Sequence, residues 1–551
     1  MRVTLVHPAG YNVVLGQPDF SVLANRMAPT GLLSLAAWLD QRGHESFIVD
    51  CLGPRAPVGT EAQAEKVLAT DPELVGFSAT TSGFLDGYDI ARHIKRRRPH
   101  VKIMFGSVHP SSIGAPLLEH FPLIDYLCIG EGEGLIGEIA DGMGLKDIGN
   151  LVWRDGDEVV TNPRRERMRS LDELPFPAYH KLEGFPHGYH LPPLSYIKRY
   201  GATMITSRGC PYTCSYCDRT VFERIYRYNS SEYVWDHMRR LRDEYGVHHI
   251  NFYDDLFTAS RKRVVELCEL LIRKPLGMDY NCAIRVGHTD DELLRLLKRS
   301  GCLQVSMGVE SADAGMMDRH KTGVTLEQVR DTVARVHAED MRAKGLFIFG
   351  LPGETPETIQ KTSDWIQSMD FDEMNMTKFT PFHGAPLWEE CVSGAEGSFH
   401  EDWRLMNCLN FVYIPKGFHS REQMDHLYNE HLKRYYESKA YISRFKKRLW
   451  EHRWTIWHVL KNLSGFLAAR RYFNPDAKRP APGQAISFPL HECQPAHLEF
   501  EMPDSVQRAL KRKIPVKLVS TTSPGGGIAP EPAEMPAGII ADEALQARAG
   551  A

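Results

Sequence analysis

Three of the 11 cysteines, Cys210, Cys214 and Cys217, fall within eight residues, in the run Ser207-Arg208-Gly209-Cys210-Pro211-Tyr212-Thr213-Cys214-Ser215-Tyr216-Cys217-Asp218. Thiolates are soft donors that suit iron–sulfur clusters and zinc. A structural zinc site takes four protein ligands, and no fourth cysteine or histidine lies at motif spacing. A C-x3-C-x2-C loop instead suits a cubane in which the protein holds three irons. The fourth iron is then open to a chelating ligand from outside. A non-catalytic iron–sulfur or zinc staple is the competing reading.

Four later stretches carry polar or glycine-rich groups just after strand-like segments: Tyr253-Asp254-Asp255-Leu256-Phe257, Cys282-Ala283-Ile284-Arg285, Met307-Gly308-Val309-Glu310-Ser311 and Phe349-Gly350-Leu351-Pro352-Gly353-Glu354. Together with the cysteine run, in this order, they resemble the radical S-adenosylmethionine (SAM) superfamily, whose signature C-x3-C-x-aromatic-C puts Tyr216 in the aromatic place. The resemblance implies a 4Fe–4S cluster on Cys210, Cys214 and Cys217, with SAM chelating the open iron. It places Asp254 and Asp255 at the SAM amino end, Glu310 at its ribose or carboxylate and the Gly350–Pro352 turn against the adenine. Tyr216 and Arg285 complete the expected cofactor contacts. Each stretch alone has a bland alternative: Asp-Asp as a turn or helix cap, Glu310 and Arg285 as buried ion-pair partners.

The N-terminal half narrows the resemblance. Gly31-Leu32-Leu33-Ser34-Leu35, Gly106-Ser107-Val108-His109-Pro110, Gly130-Glu131-Gly132-Glu133 and Leu174-Pro175-Phe176-Pro177-Ala178-Tyr179 resemble the turns of the cobalamin-binding-domain radical SAM enzymes. The likeness covers residues 1–390 and implies cobalamin contacts from Ser78, Thr80, Gly106, His109, Glu131 and Gly132. One departure is plain: the Asp-x-His-x-x-Gly motif that ligates cobalt from below is absent. Many members of this group lack it too, so a scaffold without the cofactor stays an alternative. The activity implied is cobalamin-dependent C-methylation of an unactivated carbon, with a radical oxidative cyclase or ring-rearranging enzyme as runner-up. Such an enzyme draws electrons from an external donor of flavodoxin or ferredoxin type.

The elements that must position these groups are legible as an α/β pattern. In residues 1–165, Val3–Val6, Phe47–Val49, Leu74–Phe77, Ile103–Phe105 and Tyr126–Ile129 alternate with amphipathic helices, as in a Rossmann-like parallel sheet. A hairpin around Asp155-Gly156 and a proline-punctuated linker over 166–200 follow. Six further β/α units over 201–395 suit a partial (β/α)6 barrel better than a closed eight-fold one. A helical C-terminal cap is expected over 396–475, from Arg421–Lys439 and Ile442–Phe473. A disordered tail is expected over 476–551, since 11 of the 34 prolines lie in the last 77 residues.

Composition excludes several classes. The 551 residues are 42% hydrophobic and 25% charged, unlike a fibre or a disordered chain. A net charge of −4 argues against a nucleic-acid partner. Eleven cysteines are too sparse for a disulfide scaffold. No apolar run is long enough to span a membrane, and no secretory leader is evident, so a cytoplasmic enzyme is expected. Residues 444–473 carry eight Lys or Arg against Glu451 alone, interleaved with aromatics such as Trp450, Trp454 and Trp457. That stretch either packs on the barrel or lies on an anionic membrane at the inner surface, which would fit a small, hydrophobic substrate.

Overall fold

The computed structural model describes residues 1–10, 26–191, 196–197, 200–321, 323–448, 451–453, 457, 460 and 539–540. Its fold is α/β. The first sheet contains β1 (Arg2–His7), β2 (Glu45–Asp50), β3 (Leu74–Ser78), β4 (Lys102–Gly106), β5 (Tyr126–Cys128), β6 (Leu151–Asp155) and β7 (Glu158–Thr161), in the order β2-β1-β3-β4-β5-β6-β7. β1 to β5 run parallel; the hairpin β6–β7 joins β5 antiparallel and extends the same sheet. Each face buries its own helices. Leu32, Ala36 and Leu39 pack with Leu135, Ile136 and Ile139 on one side. Ala64, Val67, Ile90 and Ile94 fill the other. The strand order reverses between β1 and β3, which puts the ligand crevice of such a sheet beyond their carboxyl ends.

The second sheet contains β8 (Gly201–Met204), β9 (His249–Phe252), β10 (Asp279–Ile284), β11 (Cys302–Glu310), β12 (Arg342–Phe349) and β13 (Glu373–Lys378), all parallel and in sequential order. This is the partial six-stranded barrel that the alternation predicts. Alternate residues such as Phe252, Cys282, Val305, Phe347 and Met374 pack under the helices in one core. Polar Asn251, Asn281, Gln304, Ser306 and Lys344 take the alternate, inner positions. The helices start at side-chain caps: Ser230, Ser260, Asp290, Thr325 and Thr355 each accept the N–H three residues on. Each cap contributes about 1 kcal/mol and defines where a β-to-α loop ends.

Three expectations need correction or limits. The proline-punctuated segment is packed rather than draped. Tyr179, Leu182 and Tyr189 sit in the barrel core. Ala178 N–H donates to Leu33, and Lys181 ion-pairs with Asp40 at 2.7 Å. Residues 400–412 are turns, not helix, because Trp403, Leu405, Met406 and Val412 fold back into the core of the first sheet. The C-terminal helices run Arg421–Tyr436 and Lys439–Arg448. On the first of them the Tyr428, Tyr435 and Tyr436 hydroxyls donate to the carbonyls of Met376, Phe371 and Met374, at 2.7, 3.0 and 2.5 Å. Most of 444–473 and of the tail lies outside the described residues. Among the described residues no helix is long and apolar enough to cross a membrane.

Candidate active site

The cysteine loop leaves β8 and is gripped from several directions. Asp254, beyond the end of β9, is buried. Its Oδ1 accepts from the backbone N–H of Thr206 and Ser207 at 2.6 and 3.1 Å, and its Oδ2 from the Thr206 hydroxyl at 2.7 Å. Buried Arg263 closes on the same oxygen at 3.3 Å. Asp255 is exposed and accepts the Gly209 N–H at 2.9 Å. Gly209 itself has φ +88, and a Cβ there would sit 2.1 Å from the Ile225 carbonyl oxygen, so the turn into Cys210 requires glycine.

Beyond the first cysteine, Arg224 donates to the Pro211 carbonyl, and Arg219 donates to that of Tyr212. The Arg285 guanidinium lies 3.8 Å above the Tyr212 ring, and the Tyr212 hydroxyl meets His288 Nε2. Leu387 N–H donates to the Ser215 carbonyl. His320 ties two predicted elements together. A carbonyl can only accept, so His320 Nε2–H donates to Pro352 O at 2.9 Å, and Nδ1 accepts the Ser215 hydroxyl at 2.8 Å. Burial pushes His320 down to about 4, which keeps that neutral tautomer.

Tyr216 lies near Glu310 and Cys214, and burial, reinforced by those two groups, raises its phenol well above the usual range. Glu310 stands in a β-bulge with φ +69, and its carboxylate is taken by Lys321 at 2.8 Å in a buried pair. Lys321 also donates to Gly308 O at 2.6 Å, and a Cβ on Gly308 would overlap both partners. Gly350 has φ +96, and its N–H donates to the buried Glu354, whose carboxyl burial lifts to about 8.

On the first sheet, Ser78 is half-buried and Thr80 exposed, with Gly106 at the end of β4 and Gly132 in the turn after β5. His109 is fully buried. It contacts the Thr81 hydroxyl at 3.2 Å and packs against Trp403 at 4.4 Å and His383 at 5.5 Å between ring centroids. Glu131 is engaged by Arg208 at 2.7 Å and by Arg227. The carboxyl ends of both sheets therefore meet: β5 reaches Arg208 beside the cysteines, and β4 reaches His383 in the segment that also crosses Ser215. His288, His320, Lys321, Arg219 and Arg263 carried no motif. Their partners lie from 7 to 105 residues away in sequence, so spacing gave no signal.

Comparison with known proteins decides the family. The radical SAM superfamily model matches residues 204–366, and the B12 binding domain model matches residues 17–140. This chain is a radical SAM enzyme with a B12-binding domain. An uncharacterized methyltransferase of Pyrococcus horikoshii is 28% identical over 464 residues, covering 82% of this radical SAM enzyme and 95% of that protein. The anaerobic magnesium-protoporphyrin IX monomethyl ester cyclase of Cereibacter sphaeroides is 26% identical over 452 residues, 80% of this chain and 71% of that one. Among solved structures, the radical SAM methyltransferase TsrM of Kitasatospora setae, with cobalamin and a 4Fe-4S cluster, aligns with TM-score 0.57 at 20% identity. It covers 72% of this chain and 76% of its own. At that identity the likeness establishes fold.

The residues of this radical SAM enzyme fit the implied groups. Cys210, Cys214 and Cys217 are free thiols on one loop. Among the described residues no three His, Cys, Asp or Glu side chains converge as a single metal ion needs. Burial raises Cys210 and pushes Cys217 up to about 12, so loading must displace thiol protons. The edge of the first sheet suits a flat macrocycle: Ser78, Ala79, Thr80, Gly106 and Ser107 are small, and Val108 is 37% exposed. Because His109 is turned into the core, it is not placed to ligate a metal from below.

Proposed function

We propose that this radical SAM enzyme is a cobalamin-dependent C-methyltransferase acting on a small molecule. The observation that carries the reading is the meeting of the two carboxyl edges, which brings the turn after β5 against Arg208, two residues before Cys210. When bound, the cluster and SAM supply a hydrogen-abstracting radical, and the cobalamin supplies a methyl group. The chain's own residues do the placing. Cys210, Cys214 and Cys217 hold the cluster, and Tyr216 stands on the same loop near Glu310. Asp255 offers an exposed carboxylate to the SAM amino end, the Gly350–Pro352 turn offers backbone to the adenine, and Arg285 stays on Tyr212 beside the loop. Asp254 and Glu310 act one step back, through Arg263 and Lys321. Ser78, Thr80, Gly106 and Gly132 border the corrin, while His109 and Glu131 support that edge from within.

The cyclase relatives favour a second reading, a radical oxidative cyclase on the same cofactors. One experiment separates the two. Anaerobically reconstituted protein is given hydroxocobalamin, SAM labelled at its methyl group, and reduced flavodoxin as external donor. The methyltransferase reading expects 5′-deoxyadenosine and labelled methylcobalamin; 5′-deoxyadenosine with no labelled methylcobalamin supports the cyclase. No 5′-deoxyadenosine from fully loaded wild type refutes the radical reading, and Cys214→Ala abolishes release if the reading holds. Contact of 444–473 with anionic lipid belongs to the same proposal and is read by sedimentation with vesicles.

A further inference from the structure

Four charged side chains at the junction of the two sheets form a nearly closed set. Arg208 grips Glu133 with both ends of its guanidinium, Nη2 to Oε1 at 2.5 Å and Nη1 to Oε2 at 3.2 Å, and reaches Glu131 Oε2 at 2.7 Å. Arg227 donates to the other Glu131 oxygen and to Met168 O at 2.9 Å, and the Ser34 hydroxyl donates to Glu133 at 2.9 Å. Side-chain exposures are 12% for Arg208, 7% for Glu133, 14% for Glu131 and 2% for Arg227. Two cations and two anions cancel out of water, and the bidentate fork specifies a direction as well as an attraction.

The two ends of this set belong to different ligands. Glu131 stands on the turn after β5 and Glu133 opens the helix Glu133–Ala140 that follows; the turn starts at Gly130 with φ +84 and packs Gly132 against Leu35, 3.2 Å from a Cβ placed there. That turn borders the B12 crevice. Arg208 is two residues before Cys210, and the residue between them is Gly209, whose N–H is held by the Asp255 carboxylate at 2.9 Å. The Phe222 ring lies 5.4 Å from the Arg208 guanidinium on a further side. There is little slack between Glu133 and the first cysteine, so a displacement of the turn is passed to the cluster loop.

We propose that Arg208 is a positioning residue that couples occupancy of the B12 crevice to the iron–sulfur loop through Glu131 and Glu133. The coupling rests on the cofactor reading above and adds to it a route of communication. Linkage makes it reciprocal: cluster loading changes corrinoid affinity by the factor that corrinoid changes the cluster state.

The test measures the Kd of hydroxocobalamin by absorbance, on full-length protein, cluster-free and with the cluster reconstituted. Wild type is expected to show a difference of about 5- to 150-fold between the two states, the usual span of site-to-site coupling. Arg208→Lys keeps the charge and loses the fork, and Glu133→Gln loses the anion. Either is expected to shrink the difference to within about twofold, the residue of a coupling lost. Circular dichroism and iron content show that each variant is folded and loaded; if one fails, the other carries the test. Equal Kd values in the two wild-type states overturn the proposal, as does a full difference surviving in a folded, loaded variant. Wild type that binds no hydroxocobalamin in either state overturns the cofactor reading itself, and the coupling with it.

Discussion

Replacing Asp254 with Asn tests whether this carboxylate builds the cysteine loop from behind. An Asn carbonyl can keep the Thr206 and Ser207 N–H bonds now made at 2.6 and 3.1 Å. Its amide group then faces the Arg263 guanidinium, which is 3.3 Å from the oxygen it replaces. Side-chain exposures of 2% and 0% leave no water to compensate. Arg263 retains neutral acceptors, Phe257 O and Thr206 O at 3.3 Å, but loses its counter-charge. Breaking one side of a buried ion pair costs about 3–5 kcal/mol. At about 1.4 kcal/mol per tenfold, that is two to three and a half powers of ten in the opening equilibrium. Hydrogen exchange on peptides spanning 204–217 reads it directly, since local opening sets amide protection. Arg263→Met added to Asp254→Asn is expected to restore part of the protection, because the stranded cation is gone. A change below about fivefold in the single variant, or further loss in the double, would refute the reasoning.

Three other outcomes follow from the same geometry. Buried Glu354 titrates near 8 in the folded chain and near 4.5 when unfolded. Stability therefore falls as pH rises from 5 to 8, by at most about 5 kcal/mol, and Glu354→Gln flattens the slope of urea midpoint against pH. The opposite limb belongs to buried neutral histidines: His237 is pushed down to about 3 and His320 to about 4. Their unfolded forms take up protons below about 6.5, so stability falls as pH drops through that value, and His237→Phe shifts the acid unfolding midpoint by circular dichroism to lower pH. Gly209→Ala places a Cβ 2.1 Å from Ile225 O at φ +88, and iron content after reconstitution is expected to drop well below wild type, with the far-UV spectrum retained.

Much of the site was visible in the sequence because it is local. Cys210, Cys214 and Cys217 share one loop, and the six β/α units announce themselves by strand-and-helix alternation. The supporting residues were hidden for the opposite reason. Thr206 is 48 positions from Asp254, and Ser215 is 105 from His320, so no window of sequence shows either pair. Glu131 and His109 matched turns of the cobalamin-binding group, but their side chains bond and pack within the protein. A motif records where the backbone must turn more reliably than where each side chain ends. The turns of 400–412 defeated a helical expectation because Trp403, Leu405 and Met406 answer to the core of the first sheet, not to a helical stripe of their own.

The tyrosines of the Arg421–Tyr436 helix have a consequence for how the chain can be divided. A barrel of six strands does not close, and β13 is its last strand, with backbone groups that would template pairing with another chain. Met374 and Met376 are two apart on that strand, so their carbonyls point the same way, and Tyr436 and Tyr428 occupy both. Lys378 N–H, next in the same row, is occupied by the Cys408 carbonyl. Residues beyond 400 thus guard the open margin of the barrel against self-association. A radical SAM module ended at Lys378, the last residue of β13, would carry a bare, sticky seam.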